Sequence, residues 1–179
     1  MFECLPHELE RLRFRQLRRG DLDAFLAYRS DQSVARYQGW NQMSAVEAAS
    51  FLEAHSRHAS LVPGTWQQFG IADAGSDNLI GDVGLLAPGA TPIIEFGISI
   101  RAKEQGKGYG TECVRGLVSL LFSSTPITGI VAHADVRNLA CLTVLKKAGF
   151  HEIGNRHVST KGEDCTELAF RVQRNGSTS

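Results

Sequence analysis

The segment Gln105-Gly-Lys-Gly-Tyr-Gly-Thr-Glu112 decides how this 179-residue chain is read. Glycines at 106, 108 and 110 let the backbone turn tightly and leave successive N–H groups uncovered by side chains. Downstream, Cys113, Val114, Leu117, Val118, Leu121 and Phe122 recur at helical spacing, so the loop opens a helix. Upstream, Ile93 to Ile100 has the alternation of a strand. A glycine loop between strand and helix suits phosphates, because its N–H donors converge where the helix dipole favours negative charge.

Which phosphates it holds is a separate question. A Walker A loop needs G-x-x-x-x-G-K-[ST], and the chain has no such string. The dinucleotide fingerprint G-x-G-x-x-G comes closer, with Asp135 at the end of the next expected strand. However, Thr111 stands at the last glycine position, and too little chain follows to complete a doubly wound sheet. A small nucleotide-binding protein and a loop that uses glycine for geometry alone both stay open.

The flanking sequence predicts an α+β domain. Leu12 and Phe14 alternate with Arg11, Arg13 and Arg15, a first strand with a charged face. Asp21 is placed to cap a helix running to about Tyr28, and Ser44-Ala-Val-Glu47 has the capping-box pattern of a second. Strands are expected at Thr65–Asp73 and Leu79–Ala87, joined by turn-forming residues, then at Ile93–Ile100 and Ile127–Asp135. Asn138 is placed to cap a helix carrying Leu139, Leu142, Leu145 and Ala148, which Gly149 would end. Strands around His151–Val158 and Cys165–Val172 follow, then a polar tail from Arg174 expected to fray. The expectation is one domain over residues 1–179, with its core at about 10–173. It is a three-layer α/β arrangement: a mixed, mostly antiparallel sheet of about six to seven strands flanked by about four helices.

Composition narrows the function classes. Nineteen basic residues balance nineteen acidic ones, so no net charge argues for nucleic acid or an anionic membrane as partner. No stretch approaches the roughly 20 apolar residues of a membrane span, and the N-terminus lacks a signal-peptide apolar core. Cys4, Cys113, Cys141 and Cys165 are scattered, which fits a reducing cytoplasm better than a disulfide framework. His55 and His58 share a helical spacing, but no third ligand stands near them, so no metal site is expected.

Several stretches together resemble the GNAT superfamily of N-acetyltransferases. Gln105-x-x-Gly108-x-Gly110 matches its [QR]-x-x-G-x-[GA] loop, and Asn138 to Phe150 is similar to its N-x-x-S-x-x-x-x-x-K-x-G-F helix. Ala35-Arg-Tyr-Gln-Gly-Trp40, Ser44 to Glu47 and Glu95-Phe-Gly97 resemble the ribosomal-protein-alanine acetyltransferase branch. The resemblance implies that Gln105, Gly106, Lys107, Gly108, Tyr109, Gly110 and Thr111 cradle the pyrophosphate of acetyl-CoA. It also implies that Asn138 contacts the pantetheine or phosphate arm, and that Ile98, Ser99 and Ile100 pair with the pantetheine amides. One N–H of that strand would then stabilise the oxyanion. The acceptor would be a primary amine, either a protein N-terminal α-amine or a small molecule. A homodimer is compatible with it, and a catalytically inactive acyl-CoA-binding module is the alternative.

The proton chemistry has its own clues. On the strand Ile93 to Ile100, the residues Ile94, Phe96, Ile98 and Ile100 share one face, and Glu95, Gly97 and Ser99 the other. The second face suits a cleft, and Glu95 is the leading general base, with an ordinary surface carboxylate as its alternative. Ser99 would line the donor site. His133 on the next strand is a secondary base or a structural histidine, and Glu112 a partner of the helix dipole. Family members often place a tyrosine after the start of the asparagine helix as general acid, and this chain has none. Cys141 stands there as a contact for the thiol end or as a small buried hydrophobe. A CoA thiolate, from a thiol of pKa roughly 8.5, leaves without strong assistance. Arg11, Arg13, Arg15, Arg18 and Arg19 read as a solvated face or an anionic-substrate site. Tyr37 and Trp40 would wall the acceptor pocket by analogy or pack in the core.

Overall fold

Alternating apolar residues from both halves of the chain assemble a single sheet. The computed structural model of the protein describes residues 5–56, 61–87 and 89–174. Its strands are β1 (His7–Glu8), β2 (Leu12–Arg15), β3 (Trp66–Asp73), β4 (Leu79–Leu86), β5 (Ile93–Ile100), β6 (Gly129–Asp135), β7 (His151–Thr160) and β8 (Glu163–Gln173). They lie in the order β1-β2-β3-β4-β5-β6-β8-β7. Every neighbouring pair is antiparallel except β5 and β6, which are parallel.

Among the described residues, five α-helices accompany the sheet: α1 (Leu22–Arg29), α2 (Gln32–Ala35), α3 (Ala45–Ser56), α4 (Tyr109–Ser124) and α5 (Leu139–Lys147). The expected architecture is present, with eight strands rather than six to seven and five helices rather than four. The additions are β1 and α2, with two and four residues. Segments that short show no period to read.

Two apolar clusters make the layers. Phe14, Phe69, Ile71, Leu85, Ile94 and Phe96 pack with Cys113, Val114, Leu117 and Leu121 of α4 and Leu142 and Leu145 of α5. Leu17 and Leu79 pack with Phe25 and Tyr28 of α1 and with Ala48 and Leu52 of α3. Gly70, between Phe69 and Ile71, faces Leu79 and Leu17, so strand alternation places the clusters on opposite faces.

Local signals set most helix ends. Ser44 and Glu47 form the capping box, with Glu47 N–H donating to Ser44 Oγ at 3.3 Å and Ser44 N–H to Glu47 Oε2 at 2.8 Å. Asn138 Oδ1 accepts from Cys141 N–H at 3.1 Å, and Gly149 follows α5 at φ +88°. Asp21 stands at the N-cap position of α1 as expected, but its side chain makes no cap hydrogen bond there: the buried carboxylate accepts two hydrogen bonds from Arg15 at 2.8 Å and one from Arg18 N–H at 2.9 Å. Arg174 is likewise not frayed, since its Nε donates to Ile127 O at 2.9 Å; residues 175–179 lie outside the described residues.

The sheet opens at its centre. β5 and β6 pair at Ile93–Gly129, Ile94–Ile130 and Glu95–Val131, and the ladder stops there. Beyond it β5 stays with β4 as far as Ile100, and β6 stays with β8 as far as Asp135. A gap therefore opens between Phe96–Ile100 and Ala132–Asp135.

Candidate active site

Two adjoining cavities occupy this gap. The smaller, about 60 Å³, lies between Phe96, Gly97 and Ile98 of β5 and Ala132, His133 and Ala134 of β6. The larger, about 280 Å³, continues past Ile98, Ser99 and Ile100 to Gln105, Gly106 and Gly110 of the glycine loop. Tyr37, Gln38, Ile98, Asn138, Cys141 and Val144 line both. A single groove thus joins the loop to the point where the strands part.

The edge of β5 that faces the gap carries backbone groups free of the sheet. Ile98 O accepts from Gln38 Nε2 at 3.2 Å and Ile100 O accepts from Gln105 Nε2 at 2.8 Å. Side-chain amides hold these carbonyls where a neighbouring strand would otherwise pair with them. At the loop, Gly106 (φ +76°) and Gly108 (φ +86°) adopt the left-handed conformation that favours glycine, and Gly108 is the N-cap of α4. The first N–H groups of α4 lack intrahelical partners, and the helix dipole adds positive potential.

At the inner end, His133 lines the smaller cavity and its Nδ1 lies 3.0 Å from Glu95 Oε1, while Glu95 itself lines neither cavity. Both side chains are mostly shielded, at 27% and 19% exposure. Their shared face continues through Gly97 to Ser99, which is buried beside Asp82. Asp82 forms a buried ion pair with Arg29 of α1, and Arg29 stacks 3.8 Å above the Trp40 ring.

Both the sequence and the fold of the chain match those of known proteins. The model of the acetyltransferase (GNAT) domain family matches residues 11–151. The chain belongs to the GNAT acetyltransferase family. It is 40% identical over 108 residues to a probable N-acetyltransferase, YjcK, of Bacillus subtilis; that match covers 57% of this chain and 60% of that protein. An acetyltransferase of the GNAT family from Bacillus anthracis superposes with a TM-score of 0.82 at 20% identity, covering 93% of this chain and 96% of that one. The spermidine N-acetyltransferase of Vibrio cholerae, solved with CoA and spermine, superposes with a TM-score of 0.77 at 23% identity, covering 91% and 95%.

Within this GNAT domain the sequence-derived donor-site residues and Cys141 fall into two sets. Ile98, Ser99, Ile100, Gln105, Gly106, Gly110, Asn138 and Cys141 line the groove. The side chains of Lys107 and Tyr109 turn elsewhere: Lys107 Nζ reaches Glu104 at 2.9 Å, and the Tyr109 ring lies under Arg11. Those two, with Gly108 and Thr111, are not among the residues that line either cavity. Asn138 spends its Oδ1 on capping α5, which leaves its Nδ2 for the groove.

Glu95 and His133, considered separately from sequence, form one hydrogen-bonded pair. Burial pushes the Cys141 thiol up to about 11, so it stays protonated at neutral pH. The arginine cluster is a solvated face only in part: Arg11, Arg18 and Arg19 are exposed, and the others are drawn into ion pairs. Arg13, Arg15 and Arg18 converge on Asp77, and Arg15 is buried against Asp21. Tyr37 lines the groove, whereas Trp40 packs against Arg29 and the α1–α3 core. His55 accepts from Gln68 N–H at 3.2 Å, and His58 lies outside the described residues.

Gln38 and Arg11 were missed as site residues. Gln38 makes its contact 60 positions away in sequence, and Arg11 stood among four other arginines that gave it no separate signal.

Proposed function

We propose that the protein transfers the acetyl group of acetyl-CoA to a primary amine. The observation that supports this most is the early end of the β5–β6 ladder. It leaves an unpaired strand edge running from the glycine loop to the Glu95–His133 pair.

The groove fits the donor on chemical grounds. Ile98 and Ile100 offer backbone groups that amides of a pantetheine arm can satisfy in place of Gln38 and Gln105. The glycine loop and the start of α4 offer N–H donors to a pyrophosphate, and Asn138 keeps an amide donor for the arm between. Acetyl-CoA supplies an activated thioester whose thiolate is a fair leaving group.

The remaining chemistry belongs to the chain. A backbone N–H on the open edge of β5 stabilises negative charge on the thioester oxygen. Glu95, directly or through a water, takes the proton of the attacking amine, and His133 fixes the carboxylate at the apex of the gap. The Cys141 thiol lines the wall as a weak donor towards the sulfur end. Gly97 leaves room for the acyl group, because nothing lies within 4 Å of where its Cβ would be.

The acceptor class is a primary amine, spanning protein N-termini, as the ribosomal-protein branch suggests, and small polyamines, as the Vibrio cholerae structure suggests. The test is release of the CoA thiol from acetyl-CoA on adding a peptide with a free N-terminus, or spermidine. Amine-dependent release that Glu95→Gln abolishes supports the proposal. Saturable acetyl-CoA binding without release in any amine would instead make the chain a non-catalytic acyl-CoA-binding module.

A further inference from the structure

Arg11 leaves the other arginines and grips the glycine loop. Its backbone N–H donates to Glu112 Oε1 at 2.7 Å and its Nε to Glu112 Oε2 at 2.7 Å. Its Nη1 donates to the Lys107 carbonyl at 3.1 Å, and its guanidinium lies 4.6 Å from the centre of the Tyr109 ring. One side chain thus holds three residues of the loop and the first turn of α4.

We propose that Arg11 is a positioning residue that aims the Gly108 N–H at the bound phosphates. The inference rests on the reading that the loop holds the pyrophosphate of acetyl-CoA. Its physical basis is the trans peptide: the Lys107 carbonyl and the Gly108 N–H share one plane and point in opposite directions. Holding the carbonyl towards Arg11 turns the N–H away from it. As the N-cap residue, Gly108 has an N–H with no partner inside α4, so that donor is free for a ligand. Glu112 anchors the arrangement from the helix, and its own N–H donates to Gly108 O at 3.1 Å.

A role in stability alone is a poor account of this pair. The Arg11 side chain is 44% exposed and Glu112 14%, and solvent screening on the Arg11 side weakens what the pair contributes to folding. The planar guanidinium, unlike an ammonium, reaches the Glu112 carboxylate and the Lys107 carbonyl at once. Charge without that fork does not reproduce the geometry.

The test compares acetyl-CoA with S-acetyl-pantetheine, which carries the same thioester and no pyrophosphate. The readout is the ratio of kcat/KM for the two donors in wild type, Arg11→Ala, Arg11→Lys and Glu112→Gln. Each variant is expected to lower the preference for acetyl-CoA by about tenfold, as when one hydrogen bond to a charged group is lost. A ratio unchanged in all three variants, or equal losses on both donors, overturns the role of Arg11. If Arg11→Ala does not fold, the two conservative variants carry the comparison. A wild type that does not distinguish the donors overturns the pyrophosphate reading of the loop itself, a different failure from that of Arg11.

Discussion

Glu95 and His133 meet at 3.0 Å across two strands whose last shared rung is Glu95–Val131. The carboxylate and imidazole come together where the backbone ladder ends, so their contact bridges strands that no longer bridge themselves. Replacing Glu95 by Gln keeps the shape and removes the base. Turnover is expected to fall about 10²–10³-fold with acetyl-CoA affinity unchanged. His133→Ala is expected to lower turnover about tenfold, less than Glu95→Gln. Steady-state rates with calorimetric donor affinities check both, and equal turnover in Glu95→Gln and wild type would remove Glu95 from the mechanism.

Arg29 and Asp82 are both buried, at 3% and 2% exposure, and α1 meets the sheet through them. Arg29→Met strands a carboxylate in the interior and is expected to cost about 3–5 kcal/mol. The double variant Arg29→Met/Asp82→Leu removes both charges and should recover most of the loss. Urea unfolding of the single and double variants decides this, and additive losses would contradict the pairing.

Asp135 is held by Arg137, whose Nη2 lies 2.7 Å from Oδ2 and whose Nε donates to Oδ1 at 2.9 Å. These hydrogen bonds hold the Asp135 carboxyl below the usual carboxylate range. Its contribution to stability is therefore complete above the unfolded value of about 3.8 and is lost as pH falls through the lower folded value. Unfolding midpoints measured between pH 5 and about 2 should fall more steeply for wild type than for Asp135→Asn. Parallel curves would show that the pair does not titrate with folding.

Most of the fold was legible because it is built from regular periods. The alternation in Ile93–Ile100, the capping box at Ser44 and the cap at Asn138 each sit where the residues alone placed them. What escaped was either short or long-range. β1 and α2 are too brief to show a period, and Asp21 is claimed by Arg15 rather than by its own helix. The parting of β5 and β6 leaves no mark in either strand, because both keep their alternation on each side of the last rung. In the candidate site the glycine loop was plain, while the contacts of Gln38 and Arg11 depend on tertiary neighbours 60 and 101 residues away.

Cys141 tests the wall of the groove. With its thiol pushed up to about 11, it should resist alkylation near neutral pH in the folded protein. Cys141→Ala is expected to change turnover less than about tenfold, as for a weak S–H donor. Cys141→Phe should obstruct both cavities and remove donor binding while the fold persists. Donor titrations alongside circular dichroism check this, and normal binding by the Phe variant would place the donor elsewhere.

The most direct test of the account is a calorimetric titration of acetyl-CoA into wild type and Gly108→Asp, with NAD and ATP as controls. Asp at 108 strains a backbone at φ +86° and brings a carboxylate against Arg11, whose Nη2 lies 3.4 Å from where its Cβ would be, so the loop that should hold the phosphates is disturbed. Wild type is expected to bind acetyl-CoA saturably, Gly108→Asp to lose that binding, and neither NAD nor ATP to bind comparably. No acetyl-CoA binding by wild type, or a preference for NAD, would contradict it.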